Sequence, residues 1–182
     1  GQGTLETLPT ATTGPVANLN DASTGAVTID GSATEDQTLT ANTGAIADID
    51  GLGAFSYQWQ RNGVDIAGAT GATFALGDAD VGSTIGVRVS YTDGQGTLET
   101  MPTATVGPIA NVNDAPTGAV TIDGCATDDQ TLTANTAALG DIDGLGVISY
   151  QWQRNGVDIA GATSATLTLG DADVGATIGV RV

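Results

Sequence analysis

Apolar and polar residues alternate with a period of two along the chain, most clearly in the sequence FSYQWQRNG at residues 55–63. Tyr57 and Trp59 fall on one face of an extended segment, and the intervening polar residues fall on the other, which is typical of a half-buried β-strand. The Asn-Gly pair at 62–63 tolerates the positive φ angles of a type I′ turn. The pattern therefore predicts a strand with an inward Trp59 that folds back as a hairpin onto residues 64–67.

The same alternation predicts a series of short strands on either side of this hairpin. The Thr-rich sequences at 25–30 and 37–42 suit a pleated surface better than a helix. Ile85, Val87 and Val89 share one face of their strand and are expected in the core. An Asp-Gly-Gln-Gly turn at 93–96 leads into the final strand. The predicted strands are 25–30, 37–42, 55–61, 72–76, 84–91 and 97–110.

The whole pattern returns after 93 residues, where ISYQWQRNG at 148–156 repeats the motif of 55–63. Residues 1–89 align with residues 94–182 without a gap, and about four fifths of the aligned positions are identical. Most differences conserve residue type, as in Leu8 to Met101 and Phe74 to Leu167, which is expected where the same core is refilled at similar volume. The chain is therefore a tandem array of repeats of about 93 residues and not one domain.

This periodicity predicts three segments. Residues 1–19 correspond to the last strand of a preceding repeat plus a linker, residues 20–112 to a complete repeat, and residues 113–182 to a second repeat without its last strand. A sheet edge without its last strand invites pairing with another chain. Because residues 1–17 have the complementary sequence, identical chains could complete one another end to end. The alternative is a longer array cut out of phase.

The order of the predicted strands resembles an immunoglobulin-like fold. The inward Trp59 resembles the Trp of strand C in such domains, and the sequence LGDADVGSTIGVRV at 76–89 resembles the corner before strand F. The paired cysteines of antibody domains are absent, so the contact between sheets must come from apolar residues. The resemblance implies an all-β fold class, with tandem immunoglobulin-like antiparallel β-sandwiches.

The charge balance excludes several classes of partner. The chain has 21 acidic residues, four arginines and a net charge of −17. Such a chain repels nucleic acid and anionic membranes. No run of 18 apolar residues or signal peptide is present, so we expect no membrane insertion, and any targeting signal would lie elsewhere.

The side chains needed for catalysis are also scarce. The sequence has no His or Lys, and its only Cys, Cys125, is replaced by Ser32 in the other repeat. Paired carboxylates remain as an acid and base, but they recur in each repeat, which favours a structural role over catalysis. The chain is therefore predicted not to be an enzyme.

The acidic residues cluster in loops, and this clustering has two interpretations. The charge could serve solubility and self-avoidance, or the carboxylates could hold cations. Calcium is the better candidate for a cation because Ca²⁺ takes about six to eight oxygen ligands. An aspartate that only satisfies the backbone of its own turn is the alternative for each loop, above all for Asp30 and Asp78.

Immunoglobulin-like topology predicts which of these loops meet. The chain enters such a domain at the end that carries the B–C and F–G loops. It leaves at the end that carries the A–B and E–F loops. At the beginning of the first complete repeat, the candidate ligands are Asn18, Asn20, Asp21, Asp48 and Asp50, with Asp93 as a further possibility. At the junction after that repeat they are Glu35, Asp36, Asp78, Asp80, Asn111, Asn113, Asp114, Asp141 and Asp143.

These junctions resemble the calcium-rigidified junctions of cadherins, whose linkers also carry an Asn-Asp core. The linker N-x-N-D-A-P and the segments TGAVTIDG, TEDQTLTAN, SYQW and DADVG are similar to repeats of giant bacterial surface adhesins of the RTX type, although the RTX nonapeptide is absent. The resemblance implies an extracellular stalk repeat of a secreted adhesin, which supports cell adhesion or biofilm formation, with neighbouring repeats as its partners. Two alternatives are a filament subunit joined by strand exchange and a module that binds a glycan or protein.

Overall fold

The structure, a computed structural model, describes Gly3 and residues 7–182. Residues 1, 2 and 4–6, which belong to the predicted last strand of a preceding repeat, lie outside the described residues. The chain divides into unit 1, Gly1–Asn111, and unit 2, Val112–Val182. Both units consist of short antiparallel strands, which confirms the all-β class and is consistent with a β-sandwich. No helix in the described part of the chain is long and apolar enough to cross a membrane.

Unit 1 forms two sheets from eight strands among its described residues. The strands are β1 (Thr28–Asp30), β2 (Thr38–Asn42), β3 (Ser56–Arg61), β4 (Val64–Asp65), β5 (Thr73–Ala75), β6 (Ile85–Thr92), β7 (Leu98–Thr100) and β8 (Ala104–Val106). One sheet has the order β1-β2-β5, and the other has the order β4-β3-β6-β7, with β8 also paired to β6. The strands β1, β2, β3, β5 and β6 lie where the alternation predicts them, and most are shorter than predicted.

The hairpin between β3 and β4 has the predicted geometry. Asn62 and Gly63 have φ angles of 50° and 80°, and a type I′ turn requires positive φ at both central residues. Arg61 lies opposite Val64 across the turn. The Asn-Gly pair thus folds the strand back at the expected place.

Trp59 lies at the centre of the unit 1 core and is fully buried. Its ring stacks on Phe74 with a centroid distance of 5.6 Å, and its Nε1 donates a hydrogen bond to the carbonyl oxygen of Gly71 at 2.9 Å. The inward face predicted for β6 is confirmed. The fully buried aliphatic residues around Trp59 are Leu39, Ile85, Val87 and Val89.

The last predicted strand of unit 1 is not continuous. The prediction of a single strand over residues 97–110 is wrong, because that segment forms two strands, β7 and β8. Ser90 pairs with Thr100, but Val87 pairs with Ala104, so one extra residue bulges between the two pairings. Pro102 lies in this bulge, where its missing N–H group costs no ladder hydrogen bond.

After β8 the chain forms one bridge to each of two turns of unit 1. Ile109 forms a parallel bridge with Val81, and Ala110 forms one with Thr34. Ile109 is buried there. The end of unit 1 therefore packs between the turn after β1 and the turn after β5.

Unit 2 repeats this architecture with fewer strands. Its strands are β9 (Thr121–Asp123), β10 (Thr131–Asn135), β11 (Gln151–Arg154), β12 (Val157–Asp158), β13 (Thr166–Thr168) and β14 (Ile178–Arg181). They form two sheets with the orders β13-β10-β9 and β12-β11-β14. Trp152 is fully buried in the core of unit 2, as Trp59 is in unit 1. The described residues of unit 2 include no counterpart of β7 or β8.

Candidate cation site

The linker at residues 18–21 packs against the loop between β2 and β3. Asn18 Nδ2 donates a hydrogen bond to Asp50 Oδ1 at 3.0 Å, and the backbone amide of Asp21 donates to Asp50 Oδ2 at 2.7 Å. The amide of Asp50 in turn donates to Asp48 Oδ1 at 2.9 Å. Asp50 is buried and holds the linker with both of its carboxylate oxygens.

The turn after β6 and the strand β7 form the other wall of the same region. Asp93 Oδ1 accepts hydrogen bonds from the amides of Gln95 at 2.9 Å and Thr97 at 2.7 Å, which closes the turn. Glu99 lies on β7, and its Oε1 accepts a hydrogen bond from Asn20 Nδ2 at 3.0 Å. The linker is therefore attached to both walls, as the predicted topology requires.

Three carboxylates from these two walls converge. One oxygen each of Asp48, Asp93 and Glu99 lies within 4.8 Å of the other two, and we call these three residues the acidic cluster. Asp93 is 6% exposed. Its Oδ2 is buried and accepts no hydrogen bond from any described residue. A buried carboxylate oxygen without a donor is costly unless another group compensates it.

No basic side chain in the described part of the chain compensates the acidic cluster. The chain has only four basic side chains, all of them arginines. Each arginine forms an ion pair with an aspartate outside the cluster, at distances of 2.6 to 3.3 Å. The pairs are Arg61–Asp80, Arg88–Asp65, Arg154–Asp173 and Arg181–Asp158. The carboxylates of the cluster therefore repel one another without a neutralising partner.

Tyr91 fixes the orientation of one member of the cluster. Its phenol donates a hydrogen bond to Asp48 Oδ2 at 2.6 Å. The pKa of Tyr91 is raised to about 12, and burial is the main cause. This hydrogen bond and the charges of Asp48 and Glu99 also raise the pKa, whereas a hydrogen bond with Ser23 lowers it. The phenol therefore stays protonated at neutral pH and remains a donor. Each oxygen of Asp48 accepts one hydrogen bond and keeps further lone pairs for a cation.

The donor set defines the chemistry of the site. Carboxylate oxygens suit hard divalent cations such as Ca²⁺, Mg²⁺ and Mn²⁺, whereas Zn²⁺ and Cu²⁺ favour nitrogen and sulfur ligands. The converging oxygens of Asp48, Asp93 and Glu99 offer only this hard type of ligand. The acidic cluster could therefore bind a metal ion.

Unit 2 repeats the contact between linker and loop. The amide of Asp114 donates to Asp143 Oδ2 at 2.7 Å, and the amide of Asp143 donates to Asp141 Oδ1 at 3.0 Å. Asn113 Nδ2 donates to the carbonyl oxygen of Asp114 at 2.7 Å. The described residues of unit 2 provide no counterpart of Asp93 or Glu99.

Other predicted ligands occupy different surroundings. Asp80 is buried in the 3-10 helix Asp78–Asp80, where its Oδ1 accepts from Arg61 Nε at 2.8 Å and its Oδ2 accepts from the amide of Gly77 at 3.1 Å. Both oxygens thus have a structural partner. Asp78 begins the same helix and is exposed, as is Asn111 at the end of unit 1. A site that combines these residues with Asp114, Asp141 and Asp143 of unit 2 stays a prediction.

The sequence reasoning missed Glu99 and Tyr91. These residues face each other across β6 and β7, and period-two patterning gives no register between strands. The sequence did contain one indication of Glu99. An acidic residue in a short strand directly after the acidic turn at 93–96 lies beside that turn. Asp93, named as a further possibility, belongs to the acidic cluster.

Comparison with known proteins adds no family to this description. A scan against protein-family models finds no match, and a search of curated proteins finds none either.

Proposed function

We propose that the chain is a structural extender, a stalk segment of tandem repeats from a secreted bacterial adhesin, and that Ca²⁺ at the acidic cluster fixes each linker to the repeat that follows it. The observation that carries the proposal is the uncompensated group of carboxylates beside the linker, with the buried, unpartnered Oδ2 of Asp93 among them. Neighbouring repeats are the partners in this function.

Calcium is the cation that this oxygen set favours. Asp48, Asp93 and Glu99 supply three ligands, and backbone carbonyls and water would complete the coordination of about six to eight oxygens. Mg²⁺ demands near-octahedral geometry and releases its water reluctantly, so loop carboxylates suit it less well. Extracellular calcium modules work at dissociation constants of roughly 0.1 to 1 mM, which matches the proposed extracellular location.

The stiffening follows from the hydrogen bonds of the linker. Asn20 is attached to Glu99, and Asp21 is attached to Asp50. Without a cation, repulsion among the carboxylates favours separation of the two walls to which the linker is attached. A bound Ca²⁺ converts this repulsion into attraction and clamps the walls together. The linker then has one orientation on its repeat.

The remaining features support a mechanical role. The two repeats have nearly the same sequence, and the loop that carries Asp48 and Asp50 recurs with Asp141 and Asp143, which fits a unit used many times along a stalk. Trp59 and Trp152 are fully buried, so neither offers an aromatic platform for a glycan. The segments TGAVTIDG and DADVG support the assignment to an adhesin that serves cell adhesion or biofilm formation.

Small-angle X-ray scattering tests the proposal. We expect the maximum dimension of the chain to be larger in millimolar calcium than in chelator, because the clamped linker at 18–21 holds the residues before it in fewer orientations on unit 1. Asp93→Asn should remove the response. Asp30→Asn makes the same charge change at an exposed aspartate outside the cluster and should keep it. Equal dimensions of the unchanged chain in calcium and in chelator would overturn the stiffening role.

A further inference from the structure

The Asn-Gly turns of the two units have the same local sequence. Residues 56–70, SYQWQRNGVDIAGAT, are identical to residues 149–163. Asn155 and Gly156 have φ angles of 50° and 79°, which repeat the turn geometry of Asn62 and Gly63. All four residues are exposed. A difference in reactivity between the two turns must therefore come from the residues that the fold places against them.

Each turn places a nucleophile next to an electrophile. The amide nitrogen of the glycine can attack Cγ of the preceding asparagine, because glycine has no Cβ to obstruct the approach. A hydrogen bond from this nitrogen would oppose the attack. The amides of Gly63 and Gly156 donate no hydrogen bond to another described residue. Both turns therefore contain the groups needed for deamidation of the asparagine.

The asparagine side chain is held differently in the two units. In each turn its Oδ1 accepts a hydrogen bond from the backbone amide of a threonine at 2.9 Å. In unit 1, Nδ2 of Asn62 also donates a hydrogen bond to Oγ of Ser83 at 3.2 Å. Unit 2 has Ala176 at the position of Ser83. Nδ2 of Asn155 donates to no residue in the described part of the chain, so its side chain has one restraint fewer.

The bond to Ser83 restrains the amide group that has to leave. Ring closure requires the asparagine side chain to rotate toward the glycine nitrogen. Asn62 has to break its bond to Ser83 for this rotation, whereas Asn155 has no such bond to break. The hydrogen bond at Oδ1 is common to both turns and does not distinguish them. The fold therefore protects the asparagine of unit 1 more than that of unit 2.

We propose that Asn155 is a site of spontaneous deamidation and that Ser83 protects the equivalent Asn62. The nitrogen of Gly156 loses its proton to water and forms a bond to Cγ of Asn155. The bond from Cγ to Nδ2 breaks, and the nitrogen leaves as ammonia with the proton. Water then opens the cyclic succinimide at either of its carbonyl groups, which leaves aspartate or isoaspartate at position 155. The net reaction consumes one water and releases one ammonia, and it needs no oxidant.

The product alters the hairpin between β11 and β12. Both products add a negative charge to a chain that already carries −17. Isoaspartate also inserts a methylene group into the backbone of a two-residue turn, whose register places Arg154 opposite Val157. Trp152, fully buried, lies two residues before Arg154 on the same strand. Modified chains should therefore have a less stable unit 2. This inference goes beyond the stalk function and needs no cation.

Two reciprocal substitutions test the role of the serine. Ser83→Ala removes the hydroxyl group from unit 1, and Ala176→Ser adds one to unit 2, so each unit serves as the control for the other. The whole chain is incubated at neutral pH and then digested with trypsin, which cuts after arginine. The two asparagines are recovered in peptides of different sequence, 62–88 and 155–181. Mass spectrometry of these peptides measures the exchange of the amide for an acid, and methylation by an isoaspartyl methyltransferase measures isoaspartate.

We expect Asn155 to deamidate faster than Asn62 in the folded chain by a factor of about 2 to 10, as the loss of one hydrogen bond implies. Ser83→Ala should raise the rate at Asn62 by this factor, and Ala176→Ser should lower the rate at Asn155. In urea the two rates should become equal, because the local sequences are identical. Absence of modification at Asn155, equal rates in the folded chain, rates that neither substitution changes, or a difference that persists in urea would each overturn the proposal.

Discussion

The phenolic oxygen of Tyr91 lies 2.6 Å from Oδ2 of Asp48 and donates its proton to that oxygen. Tyr91 is fully buried and packs edge-on against Phe55 with a centroid distance of 5.4 Å. One side chain of the unit 1 core is thus hydrogen-bonded to a member of the acidic cluster. A substitution that disrupts the acidic cluster should therefore change the free energy of unfolding of unit 1.

This contact predicts a loss of stability at alkaline pH. The pKa of Tyr91 is raised from 10.0 to about 12 in the folded state, so the folded chain holds this proton more tightly than the unfolded chain does. The stabilisation is fully present below pH 10 and is lost as the pH rises through about 12. Urea unfolding at pH values across this window should show the decline.

Tyr91→Phe is the variant that isolates this effect. It removes the phenol and should abolish the part of the alkaline decline that Tyr91 contributes. At neutral pH it should cost about 1 to 3 kcal/mol, because Asp48 loses a hydrogen-bond donor. The same alkaline decline in both proteins would show that Tyr91 does not control it.

Gly53 provides a second test of the region around the cluster. A Cβ at Gly53 would lie 2.0 Å from the carbonyl oxygen of Thr92, whereas at the equivalent Gly146 it meets nothing within 4 Å. Gly53→Ala should therefore destabilise unit 1 by about 1 to 3 kcal/mol through overpacking. Gly146→Ala should change the stability of unit 2 by less than about 0.5 kcal/mol.

Each unit contains one tryptophan, so fluorescence can report on the units separately. Unit 1 can be followed through Trp59 in a Trp152→Phe background, and unit 2 through Trp152 in a Trp59→Phe background. Equal effects of the two glycine substitutions would contradict the close approach of residue 53 to Thr92.

Trp59→Ala should destabilise unit 1 by about 3 to 5 kcal/mol, because it empties the centre of a core that has no disulfide. It also leaves the carbonyl oxygen of Gly71 without its donor. Trp59→Phe retains most of the volume and should cost less. Thermal unfolding followed by circular dichroism measures both variants, and an unchanged melting temperature for Trp59→Ala would contradict the central position of this residue.

Local patterns predicted the parts of the fold that depend on local chemistry. Period-two alternation located the inward face of β6, and the Asn-Gly pair at 62–63 located the hairpin. The known topology of a sandwich then brought the linker at 18–21 to the loop that contains Asp50, as the structure has it. Each of these inferences depended either on a few neighbouring residues or on the order in which the chain runs through a β-sandwich.

The sequence patterns could not predict contacts between residues that lie far apart along the chain. The bulge at Pro102 depends on the register between β6 and the segment that follows the turn, which alternation does not fix. The pairing of Arg61 with Asp80 gives a predicted calcium ligand a structural partner across 19 residues of sequence. Glu99 lies in the acidic cluster because β7 pairs with β6 in the register that places Glu99 opposite Tyr91. Such relationships exist only once the sheet has formed.

Calorimetric titration of the whole chain with calcium tests the central claim most directly, with Asp93→Asn as the decisive variant. Asn keeps the Oδ1 acceptor that closes the turn to Gln95 and Thr97, and it replaces the unpartnered Oδ2 with an NH₂ group that cannot bind a cation. We predict saturable binding by the unchanged chain and by Asp30→Asn, and a dissociation constant raised about tenfold or more by Asp93→Asn. An unchanged chain that gives no binding heat and no calcium-dependent rise in melting temperature, or an Asp93→Asn variant that binds as tightly, would contradict a calcium site at the acidic cluster.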